Sequence, residues 1–171
     1  MGDVVSHFNR PIMNNVLRGE YVENMVAALL APHWVQPWKS NHEWSLWDLE
    51  RKRGGRTEKL EIKQSARMQP WGPVRSPPRF DIAPKRDFNR LDEPPCRRAD
   101  AYVFAWHAEV GDAADHRDPA QWVFFVAATR SLPPDQKTVS LGWLRRNATQ
   151  VGFDQLPAVL DAALTQMTRR R

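Results

Sequence analysis

Hydrophobic residues recur with a helical period near the N-terminus of the chain. Five apolar residues within residues 16–31 share one helical stripe: Val22, Met25, Val26, Leu29 and Leu30. This spacing predicts a helix over residues 16–31. Pro32 follows it at once and predicts its end.

The next segments alternate between polar and apolar residues, which is typical of strands. Residues 43–52 alternate in this way, Gly54 and Gly55 are a turn signal, and residues 57–65 alternate again. Two alternating runs joined by two glycines predict a β-hairpin over residues 43–65.

The second half of the chain predicts buried strands and short helices. Residues 66–98 are rich in proline and predict a long loop with a short strand at 79–82, whereas residues 101–108 and 121–129 are almost continuously apolar. Such runs suit strands covered on both faces. Helices are expected after Ser140 and from about residue 155 to 168, and the acidic segment between the two apolar strands is expected to be a surface loop. The fold class is therefore α/β, with a mixed central sheet flanked by helices.

Length and composition indicate a single soluble domain. The chain has 171 residues, of which 42% are hydrophobic and 26% charged. No apolar run approaches the roughly 20 residues that span a bilayer, and residues 1–11 lack the apolar core of a signal peptide. Because the chain has one cysteine, Cys96, it cannot form an internal disulfide. We expect a cytoplasmic protein that does not bind membranes.

The charge balance favours a polyanionic partner. Lys and Arg exceed Asp and Glu by 25 to 20, and the sequence pI is about 9.8. Most of the excess is arginine, whose planar guanidinium can bind phosphate with two parallel hydrogen bonds. Eight tryptophans add a second signal, since a tryptophan can pack in a core or stack on a base.

The glycine turn predicts which hairpin residues face each other. If Gly54 and Gly55 are the two central turn residues, Leu49 pairs with Leu60, Asp48 with Glu61 and Trp47 with Ile62. One face then carries the four apolar residues Trp47, Leu49, Leu60 and Ile62. The other face carries Asp48, Glu61 and Lys63, because side chains alternate along a strand.

Two carboxylates opposite each other on a sheet repel. Three arrangements relieve the repulsion: one acid is protonated, a cation lies between them, or Lys63 bridges both acids on a solvated face. Mg²⁺ takes oxygen ligands and often uses one or two carboxylates. On the predicted helix, Glu20 and Glu23 are three residues apart, and Glu23 lies beside the apolar stripe. A half-buried carboxylate needs a partner, and a wet helix face is the alternative for both residues.

These motifs resemble the PD-(D/E)XK, or restriction-endonuclease-like, nuclease superfamily. The resemblance rests on "RGEYVE", "WDL" and "LEIKQSA" in residues 16–66, with Trp47 in place of the usual proline. The segments "KQSARMQPW" and "FDIAPK" are also similar to those of a group of small bacterial proteins without an established substrate. The resemblance implies a restriction-endonuclease-like core and hydrolysis of DNA phosphodiesters, with RNA as an alternative substrate.

The resemblance also implies roles for particular residues. Asp48, Glu61 and the main-chain carbonyl of Ile62 would ligate Mg²⁺ or Mn²⁺. Lys63 would position or help deprotonate the attacking water, and Glu23 would complete the site, with Glu20 as the weaker candidate.

Several polar and basic residues near this strand are candidates for nucleic-acid binding: Arg53, Arg56, Gln64, Ser65, Arg67 and Gln69. For the two glutamines and the serine, ordinary hydrogen bonding to the following loop is an equal alternative. We expect residues 66–98 to face the substrate.

Other sites and functions are weaker alternatives. His107, Asp112 and His116 could form a metal site, but a mobile polar loop is the simpler interpretation. The same fold could also be a catalytically inactive module that binds nucleic acid or a protein partner. A homodimer would fit cleavage of two strands.

Overall fold

The computed structural model of the protein describes residues 9–35 and 45–169. Its α-helices are α1 (Asn15–Leu30), α2 (Leu141–Asn147) and α3 (Leu156–Arg169). The strands are β1 (Leu49–Arg53), β2 (Arg56–Ala66), β3 (Met68–Gln69), β4 (Gly72–Pro73), β5 (Arg79–Asp81), β6 (Ala101–His107), β7 (Trp122–Ala128), β8 (Thr138–Ser140) and β9 (Thr149–Val151). Within the described ranges, no helix is long and apolar enough to cross a membrane.

Five strands form one mixed sheet in the order β1-β2-β6-β7-β9. Strand β2 runs parallel to β6, and every other neighbouring pair in this sheet is antiparallel. The predicted α/β class with a mixed central sheet and flanking helices is confirmed. The apolar runs predicted as buried strands are β6 and β7, whose near-continuous burial reflects cover on both faces.

Each face of the sheet has its own core. On one face, α1 and α3 pack over alternate residues of the strands, including Leu60, Val103 and Phe124. The other face is covered by α2, β5 and β8, with Phe80 and Leu144 at its centre. The sheet is therefore the middle of three layers, and any polar group on β2 must lie at an edge of one of these cores.

The predicted first helix is confirmed, with bounds shifted by one residue. Helix α1 begins after Asn14, whose side chain accepts a hydrogen bond from the Leu17 N–H at 3.0 Å. This cap satisfies one of the N–H groups that a helix start leaves without a partner. Val22, Met25 and Val26 of the predicted stripe are buried against the sheet.

The predicted hairpin register is confirmed from Leu49 to the turn, but the ladder ends at Leu49, so the predicted pairs Asp48–Glu61 and Trp47–Ile62 are not part of it. Gly54 and Gly55 have φ angles of 58° and 77°, which side chains with a Cβ rarely adopt. Leu49 pairs with Leu60, as the turn position predicted.

The start of the first hairpin strand and the face of Trp47 were predicted incorrectly. The strand begins at Leu49, not at 43; residues 45–48 bend, and residues 43 and 44 lie outside the described ranges. Trp47 packs against the core on the opposite face from Leu49 and Leu60, with the Lys59 ammonium 3.7 Å from its ring centroid. Alternation cannot place a residue on a face once the chain has left strand geometry.

The remaining predicted elements have close counterparts in the structure. The short strand expected at 79–82 is β5, the helix after Ser140 is α2, and the last helix is α3. Ser140 caps α2 as expected, because its hydroxyl accepts a hydrogen bond from the Trp143 N–H at 3.1 Å.

The acidic segment before β7 was predicted to lie on the surface, but part of it is buried. His116 is 0% exposed, and its Nδ1 accepts a hydrogen bond from the Met13 N–H at 3.0 Å. His107, at the end of β6, is also buried, with its ring centroid 4.8 Å from that of His116. The polar residues of this segment led to the wrong prediction, because a neutral imidazole with hydrogen-bond partners can be buried.

We expect His116 to stay neutral well below the usual histidine range. Burial, together with the positive charges of the neighbouring His107 and Arg18, lowers the pKa of His116 to about 4. In an NMR titration, the His116 ring signal should not move between pH 8 and about pH 5.5. A midpoint above pH 6 for His116, identified by its loss in His116→Gln, would contradict the buried neutral ring.

Candidate functional site

Side chains alternate along β2, so its charged residues share one face and its apolar residues pack into the core on the other. Leu60 and Ile62 are buried beneath α1, whereas Glu61 and Lys63 point to the opposite side. Glu61 lies opposite Tyr102 of β6 and is only 1% exposed. A carboxylate this deeply buried requires compensation by positive charge or hydrogen bonds.

Asp48 lies next to this face because it ends the ladder between β1 and β2. Its N–H donates to the Leu60 carbonyl at 2.9 Å, and its carboxylate Oδ2 accepts from the Ile62 N–H at 2.5 Å. The Asp48 carboxylate thus accepts the hydrogen bond that a main-chain carbonyl would accept if the ladder continued. Since the N–H and C=O of one strand residue point to the same side, the Ile62 carbonyl also faces Asp48.

Two lysines neutralise Glu61. The Nζ atoms of Lys63 and Lys85 lie 2.5 Å and 2.6 Å from the same Glu61 oxygen, Oε1. Both distances are those of charge-assisted contacts, which are stronger than hydrogen bonds between neutral groups.

Lys85 is the residue of this site that sequence reasoning missed. It lies within residues 66–98, the segment expected to face the substrate, and it reaches Glu61 from a point where the main chains of Lys85 and Cys96 are hydrogen-bonded. The available signal was its position in "FDIAPK", a segment to which no role was assigned from the sequence. The structure also places this part of the predicted substrate-facing loop directly against the acidic residues.

Glu23 of α1 completes the cluster, and Glu20 does not. Burial and the negative charges of Asp48 and Glu61 raise the pKa of Glu23 to about 7, while Lys63 and Lys85 oppose the shift. Glu20, one turn earlier, is exposed on the solvent side of the helix. We define the acidic cluster as Glu23, Asp48 and Glu61 with Lys63 and Lys85.

The electrostatics of the acidic cluster are those of crowded like charges. Burial raises the pKa of Asp48 to about 6, and Glu61 adds to the shift, whereas the lysines and the Ile62 N–H hold it down. The pKa of Lys63 is raised to about 12, because attraction to Glu61 and Asp48 outweighs its own burial. Three carboxylates thus face two ammonium groups, and Lys63 remains charged at neutral pH.

The donor groups fit a hard divalent cation. Asp48, Glu61 and the Ile62 carbonyl present oxygen atoms to one side of β2, and Mg²⁺ binds oxygen ligands of this kind. In the described ranges, however, no three His, Cys, Asp or Glu side chains are arranged as a ready metal site. The lysines at Glu61 Oε1 mark a position that attracts positive charge.

Gln64 and Gln69 have structural partners. Arg18 of α1 is 2% exposed; its Nε donates to Gln64 Oε1 at 2.6 Å and its Nη1 to Gln69 Oε1 at 3.1 Å. Gln69 also donates to the Ala66 carbonyl at 2.7 Å and is buried. Gln64 and Gln69 therefore make ordinary structural hydrogen bonds, as the alternative to nucleic-acid binding expected. The bonds reach helix α1 as well as the following loop.

Ser65 and Arg67 line a cleft of about 540 Å³ that begins just beyond Lys63. The acidic cluster itself is not part of its lining. Ser65 is two residues past Lys63 on the same face of β2, a step of about 7 Å along a strand. Arg67 is exposed at the mouth of the cleft.

Arg53 and Arg56 lie at the hairpin turn, away from the acidic cluster. Arg53 Nη2 pairs with Glu58 at 2.8 Å, and Arg56 pairs with Asp100. Arg56 precedes Glu61 by five residues, which is about 17 Å along a strand. Any nucleic-acid contact they make would therefore lie well away from the acidic cluster.

No known protein family, curated protein or solved structure that we compared with this chain matches it. The resemblance to the PD-(D/E)XK nucleases is therefore supported by the residues of this chain alone.

Proposed function

We propose that the protein is a metal-dependent nuclease that hydrolyses DNA phosphodiester bonds on a restriction-endonuclease-like core. The observation that carries the proposal is the proximity of Asp48, which accepts a hydrogen bond from the Ile62 N–H, to Glu61 on β2, where Lys63 pairs with Glu61. Helix α1 adds Glu23 to the same point. The single cysteine is in keeping with a cytoplasmic setting.

Asp48, Glu61 and the Ile62 carbonyl would hold Mg²⁺ or Mn²⁺. When bound, the cation would supply positive charge to the phosphate and activate the attacking water by lowering its pKa. The residues of the chain would orient the phosphate and hold or move protons.

Lys63 and Glu23 have different roles in this proposal. With a pKa of about 12, Lys63 stays protonated and is suited to stabilise phosphate charge and to orient the water, not to remove its proton. Glu23, with a pKa of about 7, is better suited to accept the water proton, because an acid–base group works best near the ambient pH. We therefore assign proton transfer, which was considered above for Lys63, to Glu23.

A second candidate is a nucleic-acid-binding module without turnover. The two ammonium groups at Glu61 Oε1 favour it, because they already compensate that carboxylate without a metal ion. Such a module would bind DNA with a strong dependence on salt and none on Mg²⁺.

Cleavage assays separate the two candidates. We expect plasmid and oligonucleotide DNA to be cut with Mg²⁺ or Mn²⁺ and not in EDTA, and Lys63→Ala to remove the activity. Replacing the exposed Lys52 with alanine provides a control, since it lies on β1 outside the acidic cluster. Salt-sensitive binding with no cleavage under any metal condition would favour the second candidate.

A further inference from the structure

The cleft beyond Lys63 carries an uncompensated positive charge beneath its surface. Arg18 is buried, and its hydrogen bonds within the described part of the chain all go to neutral acceptors: the side chains of Asn15, Gln64 and Gln69 and the Met13 carbonyl. No carboxylate of the described residues lies at ion-pair distance from it, and burial lowers its pKa to about 10. Buried charges are normally paired, so a missing anion is the simplest explanation of this arrangement.

The mouth of the cleft offers an aromatic platform and further positive charge. Trp71 lies at the turn between β3 and β4 and is 76% exposed. Arg67 and Arg79 are also exposed and line the same cleft. An exposed indole next to guanidinium groups is the combination on which single-stranded nucleic acids bind, with the bases stacked and the phosphates paired.

The floor and size of the cleft suit a flat, partly apolar group. Trp106, which is buried, and the more exposed Pro77 and Pro78 form part of its lining, and its volume of about 540 Å³ falls in the usual range for ligand pockets. The cleft and the acidic cluster share strand β2, with Ser65 lining the former and Lys63 belonging to the latter. A nucleotide held in the cleft would therefore place an adjoining phosphate near Lys63.

We propose that this cleft binds an unpaired nucleotide of a single-stranded nucleic acid, with the base against Trp71 and phosphate toward Arg67, Arg79 and the buried charge of Arg18. The inference rests on the proposed nuclease function and specifies the substrate that the cleft prefers: a single-stranded end or unpaired segment over continuous duplex. Duplex DNA keeps its bases stacked inside the helix and cannot present one to Trp71.

Binding without catalysis tests this proposal. Anisotropy of labelled dU and rU oligomers of about ten nucleotides, and of a matched DNA duplex, is measured in EDTA so that nothing is cut. We expect Trp71→Ala to weaken single-strand binding about 10-fold and to leave duplex binding unchanged, since stacking on one aromatic ring contributes to binding at about this level. The two oligomers identify which sugar the cleft accepts.

Two further variants sharpen the result. Phe88→Ala removes another exposed aromatic residue, which is 64% exposed and does not line the cleft, and it should bind like the wild type. Arg67→Gln should reduce the slope of log affinity against log salt by about one. Equal single-strand binding by Trp71→Ala and the wild type would overturn the proposal.

The outcomes also distinguish this proposal from the nuclease proposal. Intact single-strand binding that depends on Trp71, with no cleavage in any metal, would refute turnover and support the cleft. Metal-dependent cleavage with no effect of Trp71→Ala on single-strand binding would support the nuclease and refute the cleft.

Discussion

Asp48→Asn is expected to lower Mg²⁺-dependent cleavage by about 10³-fold without unfolding the protein. The amide oxygen of the substituted side chain can still accept the hydrogen bond from the Ile62 N–H, which Asp48 accepts at 2.5 Å, so the end of the hairpin should be preserved. The change removes only the negative charge that would hold the cation. Single-turnover cleavage at saturating Mg²⁺ measures the effect.

The two helix carboxylates provide a matched comparison for the same assay. Glu23→Gln should lower the single-turnover rate by about 10²-fold, because a residue proposed to accept the water proton is lost. Glu20→Gln changes the same residue type one turn away on the exposed side of α1 and should cleave like the wild type. Equal rates for both variants would remove Glu23 from the mechanism, and full activity of Asp48→Asn would refute the proposed cation site.

The hairpin was predictable from the sequence because local rules determine it. The positive φ angles of Gly54 and Gly55 select a two-residue turn, and that turn sets the pairing of Leu49 with Leu60. The same rule fails at Trp47, where the ladder has ended and side-chain alternation no longer applies. Asp48 also lies beyond the end of the ladder. Its carboxylate accepts a hydrogen bond from the Ile62 N–H because the chain bends here, and the turn rule does not predict this contact.

The contacts that complete the acidic cluster and the cleft could not be predicted, since they join segments far apart in the chain. Lys85 reaches Glu61 from a loop without a regular period, so no pattern assigns it a partner. The helical period assigns Arg18 no partner, yet it is buried and bonds to Gln64 and Gln69, which are 46 and 51 residues further along the chain. His116 was misplaced for the same reason: its partner, Met13, is 103 residues away.

The acidic cluster should also make the protein less stable as pH rises, and Asp48→Asn should reverse part of this loss. In the folded protein the pKa of Asp48 is raised from 3.8 to about 6 and that of Glu23 from 4.5 to about 7. A group whose pKa is raised by folding contributes most stability below its unfolded pKa and loses that contribution as pH rises through its folded pKa. The cluster therefore destabilises the protein progressively between about pH 4 and pH 7.

The magnitude is large enough to measure by thermal unfolding. The raised pKa of Asp48 corresponds to at most about 3 kcal/mol, which for a chain of this size is a Tm change of about 6 to 12 °C. We expect metal-free Asp48→Asn to melt several degrees above the wild type at pH 8 and close to it at pH 4. Buried His116 acts in the opposite direction, because its lowered pKa costs stability as pH falls from 6.5 to 4, but it does so equally in both proteins.

The effect of Mg²⁺ on the Tm tests whether the loss of stability at high pH arises at the proposed cation site. A cation that binds only the folded protein should raise the Tm of the wild type at pH 8 by replacing the repulsion between Asp48 and Glu61 with attraction. The same addition should have little effect on Asp48→Asn, which lacks one of the two carboxylates, and Glu20→Gln should respond like the wild type. If Asp48→Asn were less stable than the wild type at pH 8 without metal, the carboxylate would be a structural anchor for Ile62 and not a group held in place for a cation.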